Sequence, residues 1–204
     1  MTIKTIATIA AIAIIVFMGP AAAAPINPSN PAFAPIGGQT SVPVGHAEFC
    51  RAHRGECGPN ANAISAMQLD EARWTELLMV NQQFNAEIFP ETDEDLYHVA
   101  EYWTYPKDAG DCEDIALAKR RALIKDGWPA STLLMTVVRQ DNGEGHAVLM
   151  VRTDRGDLVL DNQDGMVKVW NDTPYQFLKR QSQADQGEWV DIIDSRPTRV
   201  ATTR

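Results

Sequence analysis

No apolar stretch in the sequence reaches the roughly 20 residues needed to cross a bilayer. The one long apolar run, Ile6 to Met18, has about 13 residues, the length of a signal-peptide core. P-loop, Rossmann glycine and HExxH patterns are missing, as is any internal repeat, so the common motifs for phosphate, dinucleotide or zinc-protease chemistry do not apply. Basic residues are scarce, with 18 Lys and Arg against 27 Asp and Glu. Such a surface repels nucleic acid and anionic membrane as partners.

The apolar run follows Lys4 and leads into Ala21 to Ala24, so residues 1–24 read as a signal peptide cut after Ala23 or Ala24. The competing reading, an uncleaved anchor, lacks a cationic stop after the run. A periplasmic or secreted location is therefore expected. All 27 acidic residues and 17 of the 18 basic ones lie beyond Ala24, which leaves a net charge of −10 on the mature chain. Its roughly 180 residues suit one domain. Residues 25–45 are rich in Pro, Gly and Ala and read as an extended approach to a domain over 46–204.

Three cysteines divide unequally: Cys50 and Cys57 share FCRAHRGEC, and Cys112 stands alone in GDCED. In an oxidising compartment the pair reads as a disulfide, with a metal site shared with His46 and His53 as the alternative. The odd thiol must be buried or employed.

Between Leu69 and Ile88, Trp74, Leu77, Leu78, Phe84 and Ile88 recur at helical spacing. A second helix starts at Gly110–Asp111 and ends at Gly127. On it, Ile115, Ala118 and Ala122 form the inner face, and Lys119, Arg120, Arg121 and Lys125 are expected in solvent. An acidic loop, Glu91 to Asp95, precedes it. The period then changes: STLLMTVVRQ, HAVLMVRT, DLVLDN and MVKVW are β-branched runs separated by DNGEG, DRG and NQDG. They predict an antiparallel meander, with EWVDII as a further strand after a short segment at Tyr175 to Lys179. The class is α+β, with N-terminal helices packed on an antiparallel sheet.

Cys112 falls in the first turn of a helix, where unpaired N–H groups and the dipole favour a thiolate. His146 opens a strand, and Asp161 ends the next. A loop of Thr153 to Gly156 would place Arg152 opposite Asp157 and Val148 opposite Asp161. His146 then lies one diagonal step from Asp161, within hydrogen-bonding reach. Nucleophile, base and orienting acid form a triad of the kind that acyl transfer needs. Individually, each residue also has an ordinary reading: small core residue, strand end, turn former.

Trp103 and Pro106, followed by GDCED, GHAVLMV and LVLDN, resemble the bacterial transglutaminase-like cysteine peptidases, the family of the LapG-type periplasmic proteases. The resemblance covers about Leu77 to Trp170. It implies a papain-like or transglutaminase-like core and a triad at Cys112, His146 and Asp161. Two features depart from the LapG-type pattern, the Cys50–Cys57 pair and the long Pro-rich approach. Asp111, Glu113 and Asp114 should oppose a thiolate, and the resemblance implies a calcium ion at Asp111 and Glu113 to offset them. The alternative is that these acids only cap the helix. The chemistry itself requires no cofactor. Oxyanion donors would be the Cys112 backbone N–H and the Trp103 indole, the latter with a competing role in the core.

The leading functional reading is an exported cysteine endopeptidase acting on exported or surface proteins. By resemblance the substrate is a surface adhesin and a membrane protein regulates the enzyme. Amidase or transglutaminase activity through the same acyl-enzyme is the second reading, and a non-catalytic binding module the third.

Overall fold

The computed structural model describes residues 32–196, so the expected signal peptide at 1–24 lies outside the described residues. The elements, in chain order, are β1 (Ile36–Thr40), α1 (Val44–Ala52), α2 (Glu71–Glu87), β2 (Phe89–Pro90), α3 (Asp93–Tyr97), β3 (Ala109–Gly110), α4 (Cys112–Lys125), β4 (Leu133–Arg139), β5 (Gly145–Thr153), β6 (Gly156–Leu160), β7 (Lys168–Val169), β8 (Gln176–Gln181) and β9 (Trp189–Ile192). No helix is long and apolar enough to cross a membrane among the described residues.

Seven strands form one antiparallel sheet in the order β1-β9-β8-β4-β5-β6-β7. The β4 to β7 stretch is the expected meander. The segment at Tyr175 to Lys179 contributes more than expected, because β8 returns across the sheet and pairs with the free edge of β4. Part of the 25–45 approach is also sheet, with Ile36 facing Ile192 and Thr40 facing Trp189.

Alternation along the strands divides the core in two. Leu133, Met135, Leu149, Val151, Leu158 and Leu160 face Leu77 and Val80 of α2 and Ala116, Leu117 and Leu123 of α4. The residues between them, Leu134, Val138, Val148, Met150 and Val159, meet Trp170, Tyr175 and Phe177 on the opposite face. Burying each Leu, Val or Met in these layers contributes roughly 1.5–3 kcal/mol. The architecture is the expected α+β, helices on an antiparallel sheet.

Helix α2 begins where the Asp70 carboxylate accepts from Arg73 N. Helix α4 has Asp111 at its N-cap position, with no capping hydrogen bond from that side chain, and closes on Gly127 at φ 90°, a conformation that favours glycine. Two expectations shift on α4. Ile115 is buried as expected, but Ala118 and Ala122 are half-buried and Ala116, Leu117 and Leu123 are buried in their place. Lys119 and Arg120 are 1% and 3% exposed. The helix lies between α2 and the sheet, so its polar side finds protein partners in place of water. Lys119 Nζ donates to Asn81 Oδ1 at 2.8 Å, and Arg120 donates to Leu133 O at 3.1 Å and Gln186 Oε1 at 2.8 Å. Paired in this way, the two cations are buried without stranded donors.

Cys50 and Cys57 are joined by a disulfide, and Cys112 is free. The sulfurs are thereby unavailable to the metal site considered with His46 and His53. His53 bonds instead to Phe49 O, and His46 accepts from Trp189 Nε1 at 3.1 Å. Intact-mass measurement after alkylation without reductant should find one modified cysteine, and three would contradict the linkage. Reduction should lower the unfolding free energy by about 2–3 kcal/mol, the chain-entropy value for so short a loop.

Candidate active site

Cys112 opens α4 on one side of the sheet, and its sulfur reaches the sheet's end, where Sγ accepts from Ala147 N at 3.3 Å. The thiol also donates to Glu113 Oε2 at 3.1 Å. Ala147 is the neighbour of His146, and Cys112 and His146 line one cavity of about 490 Å³ with Val44, Trp103, Val137 and Lys179.

His146 and Asp161 project from β5 and from the end of β6 onto the sheet face opposite α4, next to Val148 and Val159. The observed register pairs Arg152 with Asp157 and Leu149 with Leu160, the pairing assumed from the loop length. His146 Nε2 lies 2.9 Å from Asp161 Oδ1, and both residues are 3% exposed. Asp161 accepts, so Nε2 carries the proton and Nδ1 has the lone pair that can take a proton from a thiol. Burial pushes the Asp161 carboxyl up, but bonds from His146, Tyr175 and Gln163 N outweigh it and hold the group below its usual value. Asp161 is therefore a charged partner for an imidazolium.

Two contacts of this pair come from residues that pattern reading did not single out. The Tyr175 hydroxyl donates to Asp161 Oδ2 at 2.5 Å, and Gln163 Nε2 lies 3.5 Å from His146 Nδ1. Spacing within one strand pair cannot reveal either, since both arrive from loops. Trp103 is buried beside Cys112, but its indole N–H donates to Glu101 Oε2 at 3.0 Å. It would have to give up that bond to serve an oxyanion.

The acidic residues are brought together by a pairing two residues long. Phe89 and Pro90 run parallel to Ala109 and Gly110, so the segments that follow emerge side by side. One is capped by Thr92 and starts α3 at Asp93; the other enters α4 through Asp111. Carboxylate oxygens of Asp93, Asp111 and Glu113 lie within 4.8 Å of one another. Asp93 Oδ1 and Asp111 Oδ1 are buried with no hydrogen-bond donor. A hard cation that takes several oxygen ligands fits this donor set. Asp93 extends the pair expected from sequence; within the acidic run Glu91 to Asp95 nothing marks it as the buried member. Asp114 turns aside, and its Oδ1 accepts from Thr104 N at 2.7 Å.

Without a cation these groups conflict. Burial and the Asp111 charge push Glu113 up to about 9, burial pushes Asp114 up to about 8 and Asp93 up to about 6. Burial and the adjacent Glu113 push the Cys112 thiol well above its usual value. The expected conflict between carboxylates and thiolate is thus present, despite the helix N-terminus.

The family model for bacterial transglutaminase-like cysteine proteinases matches residues 36–197. No curated protein matches. Among solved structures the chain is similar to calcium-bound LapG of Legionella pneumophila, at 22% identity over 64% of this chain and 74% of that one, with a TM-score of 0.49. A second LapG structure from that organism gives 26% identity, 52% and 62% coverage and a TM-score of 0.45. The EGTA-treated form gives 24%, 60% and 68%, with 0.49.

Glu113 supplies a measurable sign. Its raised value means that the folded, metal-free protein holds a proton that the unfolded chain releases above about 4.5. That stabilisation is lost as pH rises toward 9. Urea unfolding in EGTA should show Glu113→Gln gaining on the parent by on the order of 1 kcal/mol between pH 6 and 8. A difference that does not change with pH would contradict the protonated, buried carboxyl.

Proposed function

Because the chain belongs to the bacterial transglutaminase-like cysteine proteinases, we propose that it is an exported endopeptidase whose nucleophile is Cys112, with His146 as base and Asp161 orienting that base. The observation that carries this reading is the buried His146–Asp161 bond, which leaves Nδ1 as the unprotonated nitrogen of a histidine that lines the same cavity as Cys112. His146 takes the thiol proton, and sulfur attacks the peptide carbonyl. The Cys112 backbone N–H at the start of α4 receives the oxyanion. The imidazolium then protonates the leaving amine, and water, deprotonated by His146, releases the acyl group from sulfur.

Export is supported by the apolar leader and by the Cys50–Cys57 disulfide, which suits an oxidising compartment. The substrate would then be another exported or surface protein, an adhesin by family resemblance, cut in an exposed segment. The same resemblance supports a membrane protein as regulator.

Asp93, Asp111 and Glu113 are the residues that would hold a calcium ion. When bound, it would offset the carboxylate charge beside the thiol. The three acids would also fix the first turn of α4, and with it the position of Cys112.

Cys112→Ala and His146→Ala should abolish peptide hydrolysis while the protein stays folded. Asp161→Asn should reduce it by a factor approaching about 10⁴, as loss of the orienting acid does in serine hydrolases. Near-normal hydrolysis by either alanine variant would overturn the assignment, and ammonia release or amine incorporation that depends on Cys112 would move it to an amidase or transglutaminase. In calorimetry Ca²⁺ should bind the metal-free protein, and Asp93→Ala should weaken binding at least about tenfold. Absence of binding at millimolar Ca²⁺ would reduce the acids to helix caps.

A further inference from the structure

Tyr175 stands at the end of the segment that carries the chain from β7 back across the sheet to β8. It comes over the face from which His146 and Asp161 project. Its hydroxyl donates to Asp161 Oδ2, and its ring centroid lies 5.3 Å from that of His146 with the planes at 58°. Only 8% of the residue is exposed.

The geometry of the carboxylate explains why such a contact matters. Asp161 Oδ1 already receives two donors, His146 Nε2 and Gln163 N, the latter at 2.9 Å. A carboxylate held by one oxygen can still swing about it. A donor on the second oxygen defines the plane, and with it the line along which Oδ1 meets the imidazole. Among the described residues, Tyr175 is the one that hydrogen-bonds to Oδ2. The ring lies against His146, and the pair is buried, where a lower local dielectric strengthens the His146–Asp161 attraction.

The segment that delivers Tyr175 is itself tied down. Thr173 Oγ1 donates to Trp170 O at 2.7 Å. Arg196 donates to the carbonyl oxygens of Tyr175 at 2.6 Å and Asn171 at 3.0 Å, and pairs with Asp194 at 2.7 Å. Asp194 in turn accepts from Phe177 N at 2.9 Å. The hydroxyl is therefore presented from backbone fixed on both sides of the tyrosine.

We propose that Tyr175 is a positioning residue that sets the orientation of Asp161 and, through it, of the His146 base. The proposal rests on the reading of Cys112, His146 and Asp161 given above. The competing role is that of a core side chain, since the ring also packs with Val148 and Phe177. Tyr175→Phe separates the two, because it keeps the ring and removes the hydroxyl.

The test is a double-mutant cycle read by the rate at which iodoacetamide alkylates Cys112 in the parent, Tyr175→Phe, Asp161→Asn and the double variant, with thermal midpoints recorded for each. Tyr175→Phe should slow alkylation by about five- to tenfold when Asp161 is present and by less than about twofold when it is Asn. On a peptide substrate the same change should fall on kcat and leave KM alone. Equal slowing in both backgrounds, or none in the parent, would overturn the role of Tyr175 while leaving the triad. Asp161→Asn without effect would overturn both. If Tyr175→Phe shifts the thermal midpoint, exchange of the His146 Nε2 proton decides: NMR of the parent should show it protected, and the variant should exchange it at least about tenfold faster. Unchanged exchange would contradict the proposal.

Discussion

The register between β5 and β6 is the constraint on which the site depends. Side chains alternate faces along a strand, so a one-residue slip would send Asp161 to the α4 side and away from His146. Three features hold the pairing. Gly156 turns at φ 141° with Ala32 O only 2.7 Å from where a Cβ would sit, and Thr153 Oγ1 donates to Gly156 O at 2.8 Å. The buried Arg152 guanidinium lies 3.3 Å from the Asp157 carboxylate. Asp157 is anchored from outside the hairpin as well, since Ala34 N donates to its side chain and its own N–H donates to Ala32 O. Substitutions in this turn, remote from the thiol, would therefore act on the His146–Asp161 contact.

The second constraint is electrostatic. A helix N-terminus favours a thiolate, yet the pairing of β2 with β3 gathers buried acids within reach of the same helix. The two effects have opposite sign, and burial adds to that of the acids, so the Cys112 thiol and the Glu113 carboxyl are both pushed up. On the function proposed above, whatever neutralises these carboxylates would also act on the Cys112 thiol.

Much of this was legible from the sequence because it is local. The β5–β6 turn length sets which residues face each other, so Arg152 opposite Asp157 could be read directly, and Asp161 followed from it. GDCED at the head of an amphipathic run placed Cys112 in a first helical turn. Features that depend on packing between distant segments were not legible. Lys119 and Arg120 carry the signature of a solvated face, and their partners on α2 and near β9 are invisible in the local pattern. Asp93 is one acid in a run of several until a two-residue strand sets it beside Asp111. Tyr175 precedes a strand that pairs with the far edge of β4, so no hairpin arithmetic could bring it to Asp161.

The most direct test is to find the acyl group during turnover. Acid-quenching the enzyme with a peptide ester and mapping the adduct by mass spectrometry should give a thioester on the fragment containing Cys112. The proposed role of His146 requires the adduct to be absent from His146→Ala. Turnover of the ester with no adduct on that fragment, or an adduct of equal yield in His146→Ala, would contradict the account.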